Sequence, residues 1–201
     1  MTVILDYGVG NLFSLSGSLK FLNIPAVISA DPSVIRKADR LILPGVGAFG
    51  DAMAKLNATG LVPFIKDFAK TKPVLGICLG MQLLFETSCE YGVHQGLGLL
   101  KGSVCPIAPD LTQPLKIPHM GWNSLKLTKP SRLLTYIKDG EYVYYVHSYY
   151  AKNCAESITA VSEYGIAIPG AVEQGNVYGT QFHPEKSGRT GLNILRAFAE
   201  L

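Results

Sequence analysis

Short runs of consecutive apolar residues recur through the first half of the chain, and between them apolar positions return at helical intervals. Thr2–Asp6 (TVILD), Pro25–Ser29 (PAVIS), Arg40–Pro44 (RLILP) and Pro73–Ile77 (PVLGI) have the length and aliphatic content of buried strands, bounded by glycine, proline or a charge. Leu12–Leu22 spaces its large apolar residues for one face of a helix, and the stretches near Asp51–Asn57 and Leu61–Lys70 repeat that spacing. Strands without alternation have no wet side. Alternating with helices, they predict a parallel sheet, because parallel neighbours need crossovers and those crossovers cover the faces.

From Val104 onward the pattern becomes strand-rich: Trp122–Leu127, the aromatic run Tyr142–Tyr150 (YVYYVHSYY), Ser157–Tyr164, Ala171–Gly175 and Val177–His183. A closing helix, Gly191–Leu201, sets Leu192, Leu195 and Phe198 at spacings that pack back on the sheet. No linker, low-complexity stretch or repeat interrupts the chain. The prediction is one α/β domain over residues 1–201, a central mostly parallel sheet with helices on both faces and an antiparallel strand extension in the second half. Ligands of such folds collect at the carboxyl edge of the sheet. Three loops are expected there: Gly8–Asn11, Gly45–Gly50 and the turn around Cys78.

Composition sharpens this picture at one point. Only 16% of the 201 residues are charged and 48% are hydrophobic, against about 25% charged in an average soluble domain. That excludes a charge-solvated disordered chain, and a net charge of +3 with no basic run gives nothing for nucleic acid to grip. The longest uncharged runs, Tyr7–Leu19 and Pro73–Phe85, stop at thirteen residues, short of the roughly 18 that a membrane-spanning helix needs. The opening MTVILDYG lacks a basic n-region and a cleavage site, so a cytoplasmic protein is expected. Cys78, Cys89, Cys105 and Cys154 form no CxxC pair, which argues against a disulfide framework or a zinc site.

Candidate chemistry starts at GICLG, Gly76–Gly80, between a buried strand and the helical MQLLFE. A nucleophile elbow needs small residues two before and two after the reactive side chain, because bulkier ones would clash. Gly76 and Gly80 meet that demand around Cys78, and a helix N-terminus favours a thiolate. An acyl-transfer cysteine needs an imidazole and a carboxylate to orient it. In QFHPEKS, His183 and Glu185 stand two apart, so in an extended segment they face the same side. Gly45–Gly50 fits GxGxxG after a strand, but no acidic residue follows at the end of a next strand; backbone N–H groups for an oxyanion are the better use of that turn. His94, His119 and His147 show no metal-ligand spacing, His147 reading as a core residue of the aromatic run, and no metal or cofactor is expected.

Taken together, PGVGAF, GICLGMQ and HPEKS resemble the three signatures of the class I glutamine amidotransferases. DYGVGN, LPGVGAFGD, PHMGWN, VHSYY and QFHPEKS are similar, more narrowly, to the glutaminase subunits of imidazole glycerol phosphate synthase; other glutaminases, such as those of pyridoxal phosphate synthase, usually carry PGG in the oxyanion loop. The resemblance spans the whole chain and implies a flavodoxin-like fold. It implies hydrolysis of L-glutamine by Cys78 as nucleophile, His183 as general acid and base and Glu185 as orienting carboxylate. An oxyanion hole at the backbone of Val46 and Leu79 is implied as well. Gly47, Gln82, Glu90, His147, Ser148 and Tyr149 would bind substrate, Glu90 facing its ammonium group. The implied partner is a TIM-barrel cyclase subunit, met in a heterodimer through Asn11, Trp122 and Lys186.

Overall fold

The apolar runs of the first half become β1 (Thr2–Leu5), α1 (Leu12–Phe21), β2 (Ala26–Ser29), α2 (Pro32–Lys37), β3 (Arg40–Leu43), α3 (Phe49–Ala58), α4 (Val62–Thr71), β4 (Val74–Ile77) and α5 (Leu79–Leu83) in the computed structural model, which describes residues 1–201. The second half adds β5 (Phe85–Ser88), β6 (His94–Gln95), β7 (Leu100–Pro106), β8 (His119–Ser124), β9 (Lys126–Leu127) and β10 (Tyr142–His147). It closes with β11 (Tyr149–Lys152), β12 (Ile158–Glu163), β13 (Ala167–Gln174), β14 (Val177–Thr180) and α6 (Gly188–Ala199). Eight strands form the central sheet in the order β2-β1-β3-β4-β14-β13-β12-β9. Pairing is parallel from β2 through β14 and antiparallel from β14 through β9. This is the mostly parallel α/β sheet with an antiparallel extension that the apolar pattern predicts.

Both faces of β1, β3 and β4 are dry, and successive residues of one strand enter opposite cores; β2, expected to be buried, is the edge strand of the sheet and leaves Val27 and Ile28 exposed. Val3, Leu5, Leu41, Leu43 and Val74 pack with Leu56 of α3 and Ile65 and Phe68 of α4. Ile4, Ile42, Leu75 and Ile77 pack on the other face with Leu15 and Leu19 of α1 and Leu195 and Phe198 of α6. Each such side chain, fully buried, contributes about 1.5–3 kcal/mol. No helix is long and apolar enough to cross a membrane.

Several boundaries differ from the sequence pattern, each for a local reason. The helix α2 is six residues long, too short to show a period, and starts where Asp31 accepts from Ser33 N at 2.7 Å ahead of Pro32. In MQLLFE the helix stops after Leu83, and Phe85–Ser88 turns into β5 of a second sheet, β11-β7-β5-β6. The aromatic run Tyr142–Tyr150 breaks at Ser148: β10 pairs with β8 in a separate ribbon, whereas β11 joins β7. Trp122–Leu127 divides likewise between β8 and β9. On α6 the buried face is Gly191, Ile194, Leu195, Ala197 and Phe198, and Leu192 is half-buried at its margin.

Because β1, β3, β4 and β14 are parallel neighbours, the loops after all four leave from one edge of the sheet. Those loops carry Gly8–Asn11, the Pro44–Gly47 turn, Cys78 and the segment from Gln181 to Glu185.

Candidate active site

The connection from β4 to α5 is a single strained residue. Cys78 has φ +54° and ψ −114°, a left-handed backbone that costs a non-glycine residue about 1–3 kcal/mol. Its neighbours explain why the turn needs glycine: a Cβ on Gly80 would lie 1.8 Å from the Leu43 carbonyl oxygen, and one on Gly76 2.6 Å from the Met81 Cα. Cys78 N donates to Thr180 O at 2.7 Å across the parallel pairing of Ile77 with Thr180. The chain leaving β14 therefore passes directly beside the cysteine.

Strand β14 ends at Thr180, short of the predicted His183, which leaves Gln181, Phe182 and His183 beyond the sheet edge. His183 N donates to Tyr144 O at 3.0 Å, so the ribbon β8/β10 holds its backbone. Its partner Glu185 reaches it through a tight turn at Pro184–Lys186 rather than through extended chain, with His183 Nδ1 and Glu185 Oε1 2.8 Å apart. Both side chains are 3% exposed. Burial opposes a charge on the imidazole, but hydrogen bonds to Cys78 and Glu185 outweigh it and push its pKa up to about 9. A cation is thus held between a thiol and a carboxylate, the arrangement that a nucleophilic cysteine requires.

The cysteine opens on a pocket of about 540 Å³. Val46 and Gly47 line it from the turn after β3, Leu79 and Gln82 from α5, and Glu90 with Tyr91 from the loop after β5. Val146, His147, Ser148 and Tyr149 enter at the break between β10 and β11. The Pro44–Gly47 turn lies on the elbow itself, since a Cβ on Gly45 would come within 2.6 Å of Gly80 N. Buried Tyr7 donates its hydroxyl to Pro44 O at 2.6 Å and steadies the turn from β1. Glu90 Oε2 accepts from Phe49 N at 2.6 Å, at the start of α3. In a GxGxxG dinucleotide site that helix N-terminus would receive the pyrophosphate; here a carboxylate holds it.

Comparison with known proteins agrees with this geometry. The family described as glutamine amidotransferase class-I matches residues 3–200. The chain belongs to the class I glutamine amidotransferases. Among curated relatives, the imidazole glycerol phosphate synthase subunit HisH of Listeria monocytogenes serotype 4a is 50% identical, covering 100% of this chain and 96% of the relative. The subunit of the same name from Bacillus licheniformis is also 50% identical, with 100% and 96% covered. A crystal structure of a glutamine amidotransferase from Thermotoga maritima shares the fold, with TM-score 0.65, 16% identity and coverage of 99% of this chain and 82% of that one.

In this amidotransferase the residues singled out from sequence fall into two groups. Cys78, His183, Val46, Leu79, Gly47, Gln82, Glu90, His147, Ser148 and Tyr149 all line the one pocket, and Glu185 stands behind His183. Asn11, Trp122 and Lys186 do not reach it. Asn11 caps α1 by accepting from Ser14 N at 3.2 Å and borders a small cleft shared with Val46 and Glu185. Trp122 is 56% exposed on β8, its edge against Tyr144, and Lys186 is exposed beyond Glu185.

Sequence reasoning placed His147 at the pocket of the amidotransferase but missed the buried His119 behind it. His147 Nδ1 lies 2.8 Å from Tyr149 O and its Nε2 lies 2.9 Å from Nδ1 of His119, whose ring stacks between Tyr145 and Tyr164. Burial pushes His119 down to about 4 and His147 down to about 3. Both therefore bind protons more weakly folded than unfolded. Their contribution to stability is present above the ordinary histidine pKa of 6.5 and is lost as pH falls toward 4. Each adds a slope of up to about 1.4 kcal/mol per pH unit in that window. Urea melts at pH 7 and pH 5 should show a marked loss at pH 5, and His119→Asn should shrink that difference; equal pH dependence would contradict a buried neutral pair.

Proposed function

We propose that this amidotransferase hydrolyses L-glutamine to glutamate and ammonia as the glutaminase subunit of an imidazole glycerol phosphate synthase, acting in the cytoplasm as one domain over residues 1–201. The observation that carries the reading is the meeting of Cys78, His183 and Glu185 at one pocket beside a PGVG turn, in a chain half identical to subunits of that name along its full length.

Cys78 thiolate attacks the side-chain amide carbonyl of glutamine, and the oxyanion is met by the backbone N–H groups of Leu79 and Val46. His183, held as an imidazolium by Glu185, protonates the departing ammonia. The glutamyl thioester is then hydrolysed by a water that His183 deprotonates. Gln82, Gly47, His147, Ser148 and Tyr149 bind the amino-acid part of the substrate, with Glu90 facing the ammonium.

Ammonia passes to a TIM-barrel cyclase subunit in a heterodimer. That subunit uses it on a phosphoribulosyl-formimino aminoimidazole carboxamide ribotide, giving imidazole glycerol phosphate and aminoimidazole carboxamide ribotide. Asn11, Trp122 and Lys186 face the barrel. The exposed Met120 and Trp122, at 64% and 56%, and the low charge fraction of the chain support an apolar docking face at this edge of the sheet.

The test is incubation with a glutamine-mimicking alkylator, followed by glutamine turnover with purified cyclase. Labelling should fall on Cys78, and turnover should rise when the cyclase binds its own ligand. Absence of labelling in the assembled complex would sink the glutaminase reading, and an unchanged rate would sink the choice of partner.

A further inference from the structure

Buried at 0% exposure, Gln181 sits between β14 and His183, and its amide Nε2 lies 3.8 Å from the sulfur of Cys78. An amide beside a thiolate helps only if its N–H end points at the sulfur; reversed, its oxygen would repel the charge. The orientation is settled at the Tyr149 carbonyl, which can only accept, and a chain of hydrogen bonds that starts 58 positions away from Gln181 in sequence, at Asn123 on β8, holds that carbonyl in place.

Asn123 accepts from Ser124 N at 2.8 Å and donates from Nδ2 to Glu163 O at 2.9 Å, so its ends are assigned. The same Nδ2 meets His119 Nε2 at 3.3 Å, which makes that nitrogen an acceptor. His119 Nδ1–H then donates to His147 Nε2, and His147 Nδ1–H donates to Tyr149 O. Every tautomer follows from the one before it. The Tyr149 carbonyl, pinned in this way, accepts a second bond from Gln82 Nε2 at 3.0 Å, and Gln82 Nε2 also donates to Gln181 Oε1 at 3.0 Å. With its oxygen engaged, Gln181 can offer only N–H to the sulfur.

We propose that Gln181 is a further catalytic residue: it donates a hydrogen bond to the Cys78 thiolate, Gln82 is the positioning residue that keeps its N–H end toward the sulfur, and His147, His119 and Asn123 act one step further back by holding the Tyr149 carbonyl that fixes Gln82. The proposal rests on the reading of Cys78 as the nucleophile. The titratable groups facing the sulfur are His183 from the loop after β14 and Tyr7 from the loop after β1, and Gln181 adds a neutral donor that no change of pH removes.

Alkylation by iodoacetamide across pH, resolved by peptide mapping of the full-length chain, tests both readings separately. Exposed Cys89 serves as the internal reference. Gln181→Met should move the inflection of Cys78 alkylation up by about one pH unit and so slow alkylation by about tenfold at pH values below the inflection, the scale of one lost hydrogen bond to a charged group. Gln181→Glu, of the same shape but offering carboxylate oxygen, should act in the same direction and carries the test should the Met variant misfold. His119→Leu should give a smaller effect of the same sign, and His119→Asn, which keeps a donor near Nδ1, should restore the parental profile. Folded Gln181 variants with the parental rate and inflection would overturn the proposal alone. A parental Cys78 that resists alkylation while Cys89 reacts would overturn the nucleophile reading and this proposal with it.

Discussion

Replacing Cys78 with alanine is expected to lower glutamine hydrolysis by about four orders of magnitude or more, while the assembled synthase still forms product from added ammonium salt. The loss follows from the covalent step. Without sulfur no thioester forms, and the His183 imidazolium has no thiolate to pair with. The oxyanion donors and the pocket remain, so only catalysis that positioning alone can provide is left. In the proposed complex the cyclase chemistry belongs to the partner, whose site would not need the cysteine. Parallel assays with glutamine and with ammonium salt, on complex confirmed by gel filtration, decide the matter. Loss of both activities in an intact complex would contradict the assigned division of labour.

The second large effect is structural. Gly80→Ala should destabilise the chain by about 3 kcal/mol or more, because the added methyl carbon would stand 1.8 Å from the Leu43 carbonyl oxygen. Neither side can yield easily. Leu43 is the last residue of β3, paired to β4 at Gly76, and Gly80 opens α5 with Gly45 against its backbone nitrogen. Separating them pulls the oxyanion turn off the elbow as well as opening the core. A thermal melt should fall by about 10 °C. Gly17→Ala is the contrasting case: the position is helical, exposed and has nothing within 4 Å, so that variant should gain roughly 0.5–1 kcal/mol. Equal melting temperatures for the two variants would mean that the elbow packing described above is wrong.

Much of this site is legible in the sequence because the elbow leaves a local signature. Gly76 is required by Gly80 and Met81 a few residues on, the spacing of Gly80 marks the same turn although the atom it must clear is the distant Leu43 carbonyl, and His183 and Glu185 are joined by one turn. Runs such as VLGI and LILP announce a sheet buried on both faces, which accounts for part of the low charge fraction. The groups that had no such signature are those whose partners lie far along the chain. Gln181 looks like one more strand residue until β14 is seen to end at Thr180 and to run parallel beside β4. Tyr7 falls between the predicted strand Thr2–Asp6 and the loop Gly8–Asn11 with no role assigned, and its bond to Pro44 exists only because β1 and β3 are neighbours. His147 reads as a core residue and is one, but it is also part of the pocket wall, held there by buried His119, for which the sequence offers no role.

The break of the aromatic run at Ser148 shows the same division. Alternation and residue type predict a strand over Tyr142–Tyr150, and both pieces are strands. Nothing in the run says that β10 and β11 belong to different sheets, because strand propensity is a property of the residue whereas pairing is a property of what lies alongside. Sequence alone therefore determined the α/β class, the small-residue pattern of the cysteine turn and the His-Glu pair, each written in residues a few positions apart. Only the tertiary structure decided that four parallel strand ends deliver these groups to a single pocket, and which amide end meets the sulfur. Those outcomes depend on contacts among distant segments, where hydrogen-bond direction and close packing, rather than local preference, select the arrangement.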